Sequence, residues 1–440
     1  MYPLEISEAL LYALVSVFCA APIGLVAGAI PGIGGKVALA IFAPIAVTYH
    51  PVGALMIMLS LHAVIRIGGA LPAILLGVPG SSADAAMTVH GYPMASRGEG
   101  RDAVNSAIIS GCLSGIAGIS LFVLVATLGG GWITEMSPAG RLVLFLAAFL
   151  LIVLTEASGK IVAAFTLLIG VFLSVQSSGN TGSWSLPLLP SMLGLLVVPQ
   201  LILQNVSNLD SQHGGEEQRS VSISAYAEQL WRHKVVWTAC VTLGWLCGLA
   251  PGVGGTAISW MALSVKRFLS SDKSSNEDND AAGVVAPIAG TMAKEGGSLV
   301  TTLLLGIPGS TAMIIMLSAL GDSVNIESGV SPFMTTPQVV WLGVVTSLGI
   351  LVASLLAPKL AYQLTRIQNL PRERVRNVSL ALVIFSVAIT EASIFSIAIL
   401  SIAALLGMGM LRSGIARIPL IIGLILGADA YDLAGGVFSK

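Results

Sequence analysis

Arg66 lies in the apolar run "AVIRIGGALP" and Lys294 in "TMAKEGGSLV". An ionised side chain is costly in hydrocarbon, so each is a candidate for pairing, for a water-filled cavity, or for holding an anion. Each stands two residues before a Gly-Gly and a short way ahead of a Pro-Gly, at Pro79-Gly80 and Pro308-Gly309. Hydroxyls follow both breaks: Ser81 and Ser82, then Ser310 and Thr311. Backbone N–H groups and hydroxyls at the start of a helix favour anions, and a nearby guanidinium or ammonium adds the full charge that partial dipoles lack. The chemistry this suits is the capture of a carboxylate. Asp84, just after the first break, and Glu295, beside Lys294, are candidates for a coupling cation. Plainer roles stand next to these. Lys294 can simply pair with adjacent Glu295, Arg66 can snorkel to an interface, and Asp84 can be an ordinary charge at a helix N-terminus.

The elements that must carry these residues follow from composition. Of 440 residues, 55% are hydrophobic and only 10% are charged, well below the roughly 25% of soluble domains. Mean hydropathy is +0.90. Apolar blocks such as Val104–Leu128, Val235–Ala250 and Val339–Ala357 are each close to bilayer-spanning length. The fold class is therefore an all-α polytopic membrane protein with roughly 11–14 hydrophobic segments. The first segment lacks a basic flank and reads as a retained helix rather than a cleaved signal. A net charge of -1 argues against a nucleic-acid partner. Cys19, Cys112, Cys240 and Cys247 lack metal-ligand spacing and read as small buried hydrophobes. No metal site and no resident cofactor is expected.

The chain is written twice. "GLVAGAIPGIGG" (Gly24–Gly35) aligns with "GWLCGLAPGVGG" (Gly244–Gly255), and "LLGVPGS" (Leu75–Ser81) with "LLGIPGS" (Leu304–Ser310). "TEAS" recurs at Thr155 and Thr390, and "PSMLGLL" at Pro190 matches "PLIIGLI" at Pro419. Four collinear matches at a nearly constant spacing divide the chain into repeat one (1–205), a polar linker (206–230) and repeat two (231–440). Loop charge sets their relative orientation, because cytoplasmic loops are rich in Lys and Arg. In repeat one the basic loop is "MASRGEGRD", and "TYHP" before it has no Lys or Arg. In repeat two the earlier loop carries Lys266, Arg267 and Lys273, whereas "GDSVNIESGVSP" has none. Swapped charge predicts two inverted repeats.

Four breaks recur in pairs. Proline removes a donor and clashes with the preceding turn, and glycine adds freedom, so both motifs end helices. Inside a membrane such a break is tolerated only where protein or a cavity surrounds it. The stretches on either side of Pro79-Gly80 are too short to span, which predicts re-entrant hairpins at Pro79-Gly80 and Pro308-Gly309. Paired broken helices at matching positions of two halves point to a transporter's substrate site. The site expected here combines Gly32, Gly34, Gly35, Gly252, Gly254, Gly255 and Thr256 of the glycine motifs with both Pro-Gly breaks, their hydroxyls, and Arg66 or Lys294. Packing glycines and simple helix caps are the alternative reading. Glu156 and Glu391 of the "TEAS" pair read as residues of helix turns.

"GAIPGIGG", "IGGALPAILLGVPG…HGYPMASRGEG", "APGVGG", "LLLGIPGS" and "PLIIGLILG", in this order, resemble the large membrane subunit of the tripartite tricarboxylate transporters. The resemblance implies a bacterial inner-membrane secondary carrier for a di- or tricarboxylate, coupled to sodium or protons. It also implies a periplasmic binding protein that delivers substrate and a small membrane subunit. Ser81 and His90 stand where the family often has acidic residues, and "APIAGTMA" (Ala286–Ala293) replaces a run like "APEAANNA". Relatives also tend to continue through another helix past "ILGADAYDLAGG". Two other classes are open. A passive channel can use the same broken helices. An intramembrane aspartyl protease would need paired Tyr-Asp and Gly-x-Gly-Asp signatures, and "SALGDS" lacks the first glycine.

Overall fold

The computed structural model describes residues 6–30, 34–46, 50–77, 79–134, 137–156, 159–178, 186–203, 231, 233–251, 253–269, 281–320, 335–367 and 393–438, with scattered positions between 377 and 388. Among them all regular structure is helical. The helices are α1 (Ile6–Ala29), α2 (Gly34–Ala46), α3 (Pro51–Leu76), α4 (Thr88–Met94), α5 (Gly100–Thr134), α6 (Pro138–Thr155), α7 (Lys160–Ser178), α8 (188–203), α9 (Lys234–Gly248), α10 (Gly255–Leu269), α11 (Ala282–Leu299), α12 (Thr311–Leu320), α13 (Thr336–Ile367), α14 (Ile394–Arg412) and α15 (Ile418–Phe438). Among the described residues six stretches are long and apolar enough to cross a membrane: Ile6–Ala29, Pro51–Leu76, Ala83–Gly129, Lys160–Ser177, Thr336–Leu364 and Ile394–Arg412. Shorter apolar helices, including Lys234–Gly248 and Thr311–Leu320, add to these. The protein is an all-α polytopic membrane protein.

Two helices form the centre. From Val52 to Ile74, α3 is buried at every position except Arg66, and every residue of α11 is buried. A helix that is apolar on all sides belongs inside a bundle, and small residues let its neighbours approach closely. Both reasons hold in α11, "AGVVAPIAGTMAKEGGSL". A Cβ on Gly296 would run into the backbone of Gly118 on α5, and one on Gly118 would meet Ala293.

The glycine contacts of one half have counterparts in the other. Gly24 and Gly28 of α1 press on the carbonyls of Leu61 and Ile65 of α3, and Gly68 on the backbone of Leu25. In the second half, Gly244 and Gly248 of α9 press on the carbonyls of Gly290 and Lys294 of α11, and Gly297 on Trp245. The last helices cross over. Gly194 of α8 packs on Leu400 of α14, whereas Gly423 of α15 packs on Leu167 of α7.

Some sequence expectations shift. Cys112 and Cys240 are buried, but Cys247 is only partly so and Cys19 is exposed. An apolar run on the outside of a membrane protein faces lipid, so apolar context does not imply burial. Glu156 follows the end of α6 in an extended conformation. Glu391, Gly32 and Gly252 lie outside the described residues.

Candidate functional site

Each Pro-Gly break turns the chain back against the helix that precedes it. α3 ends at Gly77, which takes the left-handed conformation at φ 67° and is therefore glycine. After the break, the Gly80 amide donates to the Gly69 carbonyl at 3.4 Å. Gly69 lies two helical turns before Gly77, so the chain dips back by about 12 Å at 1.5 Å per residue. It then forms a 3₁₀ turn over Ser82–Met87 and rises again into α4. There Gly91 packs on Ile74 and the Tyr92 ring on Gly77.

The second half does the same with different groups. Gly306 takes φ 70°, and Gly309 packs back on Ser298. Its amide donates to Thr302 Oγ1 at 3.0 Å, and that hydroxyl donates to the Ser298 carbonyl at 2.6 Å. A hydroxyl thus bridges what the first half joins directly. The expected hairpins differ from these re-entrant turns in one respect. The arm before each break is not a separate half-helix but the end of a long buried helix.

The first break carries the charge. Arg66 Nη1 donates to Ser81 Oγ at 2.7 Å, and Ser81 Oγ donates to Asp84 Oδ2 at 2.7 Å. Arg66 Nη1 also lies 3.8 Å from Asp84 Oδ1. The Asp84 side chain is 1% exposed and that of Arg66 17%. Gly69 makes room for the carboxylate, because a Cβ there would collide with it. Arg66 Nε and Asp84 Oδ1 are buried without a hydrogen-bond partner among the described residues. On its other side the guanidinium approaches α10. A Cβ on Gly255 would stand 3.3 Å from Arg66 Nη2 and 3.2 Å from the Ala83 Cβ.

The glycine motifs and the breaks therefore meet crosswise. The 3₁₀ turn after the first break packs on α10, which starts at the second half's glycine motif. α12, which follows the second break, packs on α2, which starts at the first half's motif. Gly34 and Gly35 open α2, Gly255 and Thr256 open α10, and Gly254 has open space around it. Ser310 Oγ accepts from the Met313 amide at 3.4 Å as a cap of α12, which Thr311 begins. Pro79 is partly buried and Pro308 fully so, while the side chain of Ser82 lies outside the described ones. Among the described residues no hydrogen bond or ion pair joins Ser81 or Asp84 to Ser310 or Thr311.

Lys294 does not belong to this cluster. Its side chain is 2% exposed, and its Nζ lies 3.8 Å from Glu295 Oε1. Glu295 Oε2 lies 3.2 Å from His62 Nε2. Nor does Lys294 match Arg66 in register. The glycine contacts align Lys294 with Ile65, so the counterpart of Arg66 is Glu295. Equal distances to a Gly-Gly suggested equivalence, but one residue is about 100° around a helix and points to another face.

With the geometry in place, the comparisons decide the family. A model of the tripartite tricarboxylate transporter TctA family matches residues 14–422. The chain belongs to that family. It is a family of transporters and not of enzymes. A relative from Agrobacterium vitis, named as an uncharacterized 52.8 kDa protein in the TAR-I ttuC' 3'region, is 25% identical over 432 residues, covering 92% of this chain and 83% of its own length. No solved structure matches.

His62 escaped the reading of the sequence. It had one signal: a histidine four residues before an arginine in an apolar helix shares that arginine's face. Ser298 and Thr302 escaped as well, because nothing in the run "GGSLVTT" marks their hydroxyls as partners of a break ten residues on.

Proposed function

We propose that this chain is the carrier subunit of a tripartite uptake system in a bacterial inner membrane. It moves a di- or tricarboxylate by cation-coupled secondary transport, takes substrate from a periplasmic binding protein and works with a small membrane subunit. Two inverted repeats supply alternating access. The observation that carries this reading is the crosswise meeting of breaks and glycine motifs, with Arg66 spanning both. Its Nη1 is committed to Ser81, whereas Nη2 faces the start of α10 and Nε has no hydrogen-bond partner among the described residues. A guanidinium with unused N–H groups beside two helix starts suits a carboxylate. The substrate groups are thus Arg66, the Pro79–Ser82 turn and the Gly254–Thr256 start of α10, with Ser310 and Thr311 completing the second half. Asp84, already tied to Arg66 and Ser81, sets the geometry of that pair.

The test is uptake of labelled citrate and malate by cells that lack their own carriers and express the whole tripartite system. Wild type accumulates label above the external concentration, which a passive channel cannot do. Arg66→Gln lowers affinity about 30-fold or more, the usual loss when one partner of a desolvated charge contact is removed. A well-folded Arg66→Gln protein with normal affinity overturns the assignment.

A further inference from the structure

The site above leaves one buried ionisable cluster unused. His62, Lys294 and Glu295 have side chains 5%, 2% and 6% exposed, and the two oxygens of Glu295 are divided between them. A carboxylate only accepts, so His62 Nε2 carries the hydrogen of that contact, and in the neutral ring Nδ1 keeps a bare lone pair. Nδ1 is buried and has no hydrogen-bond partner among the described residues. His62 and Arg66 lie one turn apart on α3, which puts this cluster directly beside the proposed anion site.

Charge counting shows what the lone pair can do. Lys294 balances Glu295, and Arg66 balances Asp84, so with neutral His62 the buried set has no net charge. A proton that bonds to Nδ1 from water makes the ring an imidazolium and leaves one positive charge. An anion arriving at Arg66 offsets that charge, and by reciprocity the protonated ring favours the anion. Histidine is also the one side chain here that ordinarily changes charge near neutral pH. Other ionisable residues on the elements around α3 are sparse. α12 and residues 21–29 of α1 have none, α11 has none beyond Lys294 and Glu295, and α13 has none before Lys359. α2 brings Lys36 near its start, α4 His90 and Tyr92, the turn after α4 Arg97 and Glu99, α5 Arg101 and Asp102 at its start and Cys112, and the first part of α1 Glu8, Tyr12 and Cys19.

We propose that His62, held by Glu295, binds the proton that couples to carboxylate entry. This rests on the carboxylate-carrier reading given above. The first test does not depend on it. The full-length chain with ¹⁵N-labelled histidine is titrated in lipid nanodiscs, and the His62 signal is assigned by its loss in His62→Gln. Where that variant folds poorly, the shift in Glu295→Gln assigns it instead. With pH stepped from about 8 to 5, the His62 ring is expected to gain a proton at Nδ1 and pass from the Nε2–H form to imidazolium. In Glu295→Gln the ring loses the carboxylate that accepts from Nε2, which is expected to move the His62 ¹⁵N signals. A ring that keeps one charge state across this range overturns the proposal. The second test uses citrate as probe and calorimetry in buffers of differing ionisation enthalpy. Wild type takes up a proton with citrate, so affinity falls up to about tenfold per pH unit above the midpoint, and His62→Gln loses this dependence. Citrate binding without His62-dependent proton uptake overturns the coupling and leaves the carboxylate reading standing. Failure to bind citrate, malate or tartrate instead counts against the carboxylate reading, and the titration alone then decides for His62.

Discussion

The Ser81 hydroxyl accepts from a guanidinium and donates to a carboxylate, so it sets the spacing of two buried charges. Removing it leaves Arg66 and Asp84 3.8 Å apart with unmet hydrogen-bonding capacity. Ser81→Ala is therefore expected to lower stability by about 1–3 kcal/mol, read from thermal unfolding in detergent. Unchanged unfolding would mean that water replaces the hydroxyl without loss. Arg66→Lys separates charge from shape. It keeps the cation but loses the fork that reaches Ser81 and α10 together, so citrate affinity is expected to fall about tenfold while the protein still folds. Normal affinity in calorimetry would show that charge alone suffices. Much of this was legible in the sequence, because a lone Arg in an apolar run and a hydroxyl after Pro-Gly are rare enough to notice. The pairing of Lys294 with Glu295 was legible too, as the plainer of two readings. Its register was not, since periodicity around a helix is lost when only distances along the chain are compared.

At the scale of elements, glycines fall into two kinds that spacing alone does not separate. A Cβ at Gly80 would stand 2.5 Å from the Gly28 carbonyl oxygen and 2.7 Å from the Gly69 Cα. These are backbone atoms of two packed helices and cannot give way. Gly80→Ala is expected to cost about 1–3 kcal/mol and much of the folded yield. Gly254 also belongs to a glycine motif, yet a Cβ there meets nothing within 4 Å. Gly254→Ala is expected to change unfolding by no more than about 0.5 kcal/mol. Equal losses at both positions in the same unfolding assay would contradict this picture of the packing. The sequence located both breaks because Pro-Gly and a left-handed glycine end helices for local reasons. It misjudged the arms before them. Pro72 sits inside α3, where neighbouring helices support the interrupted turn. Whether a proline ends a helix thus depends on packing that the sequence does not display.

Across the whole molecule, the halves are built into each other rather than set side by side. α8 of the first half packs on α14 of the second, and α15 of the second packs on α7 of the first. The segment after each Pro-Gly break, a 3₁₀ turn in the first half and α12 in the second, lies on the other half's glycine-motif helix. The matching glycine contacts within each half were foreshadowed by matching motifs, but this exchange was not, because no pattern within one half records which surface of the other it will cover. The swapped loop charges carry a prediction about the relation between the halves: one repeat should be inserted upside down with respect to the other. Single cysteines placed beside Arg97 and beside Asp322, in a background where Cys19 is replaced, allow the test. In intact cells an impermeant maleimide is expected to label the Asp322 position and spare the Arg97 position until the membrane is opened, the outcome predicted by the rule that basic loops are cytoplasmic. Labelling of both positions from the same side would rule out inversion. The crosswise contacts at Arg66 and Gly255 would then have to arise from two repeats that enter the membrane in the same sense.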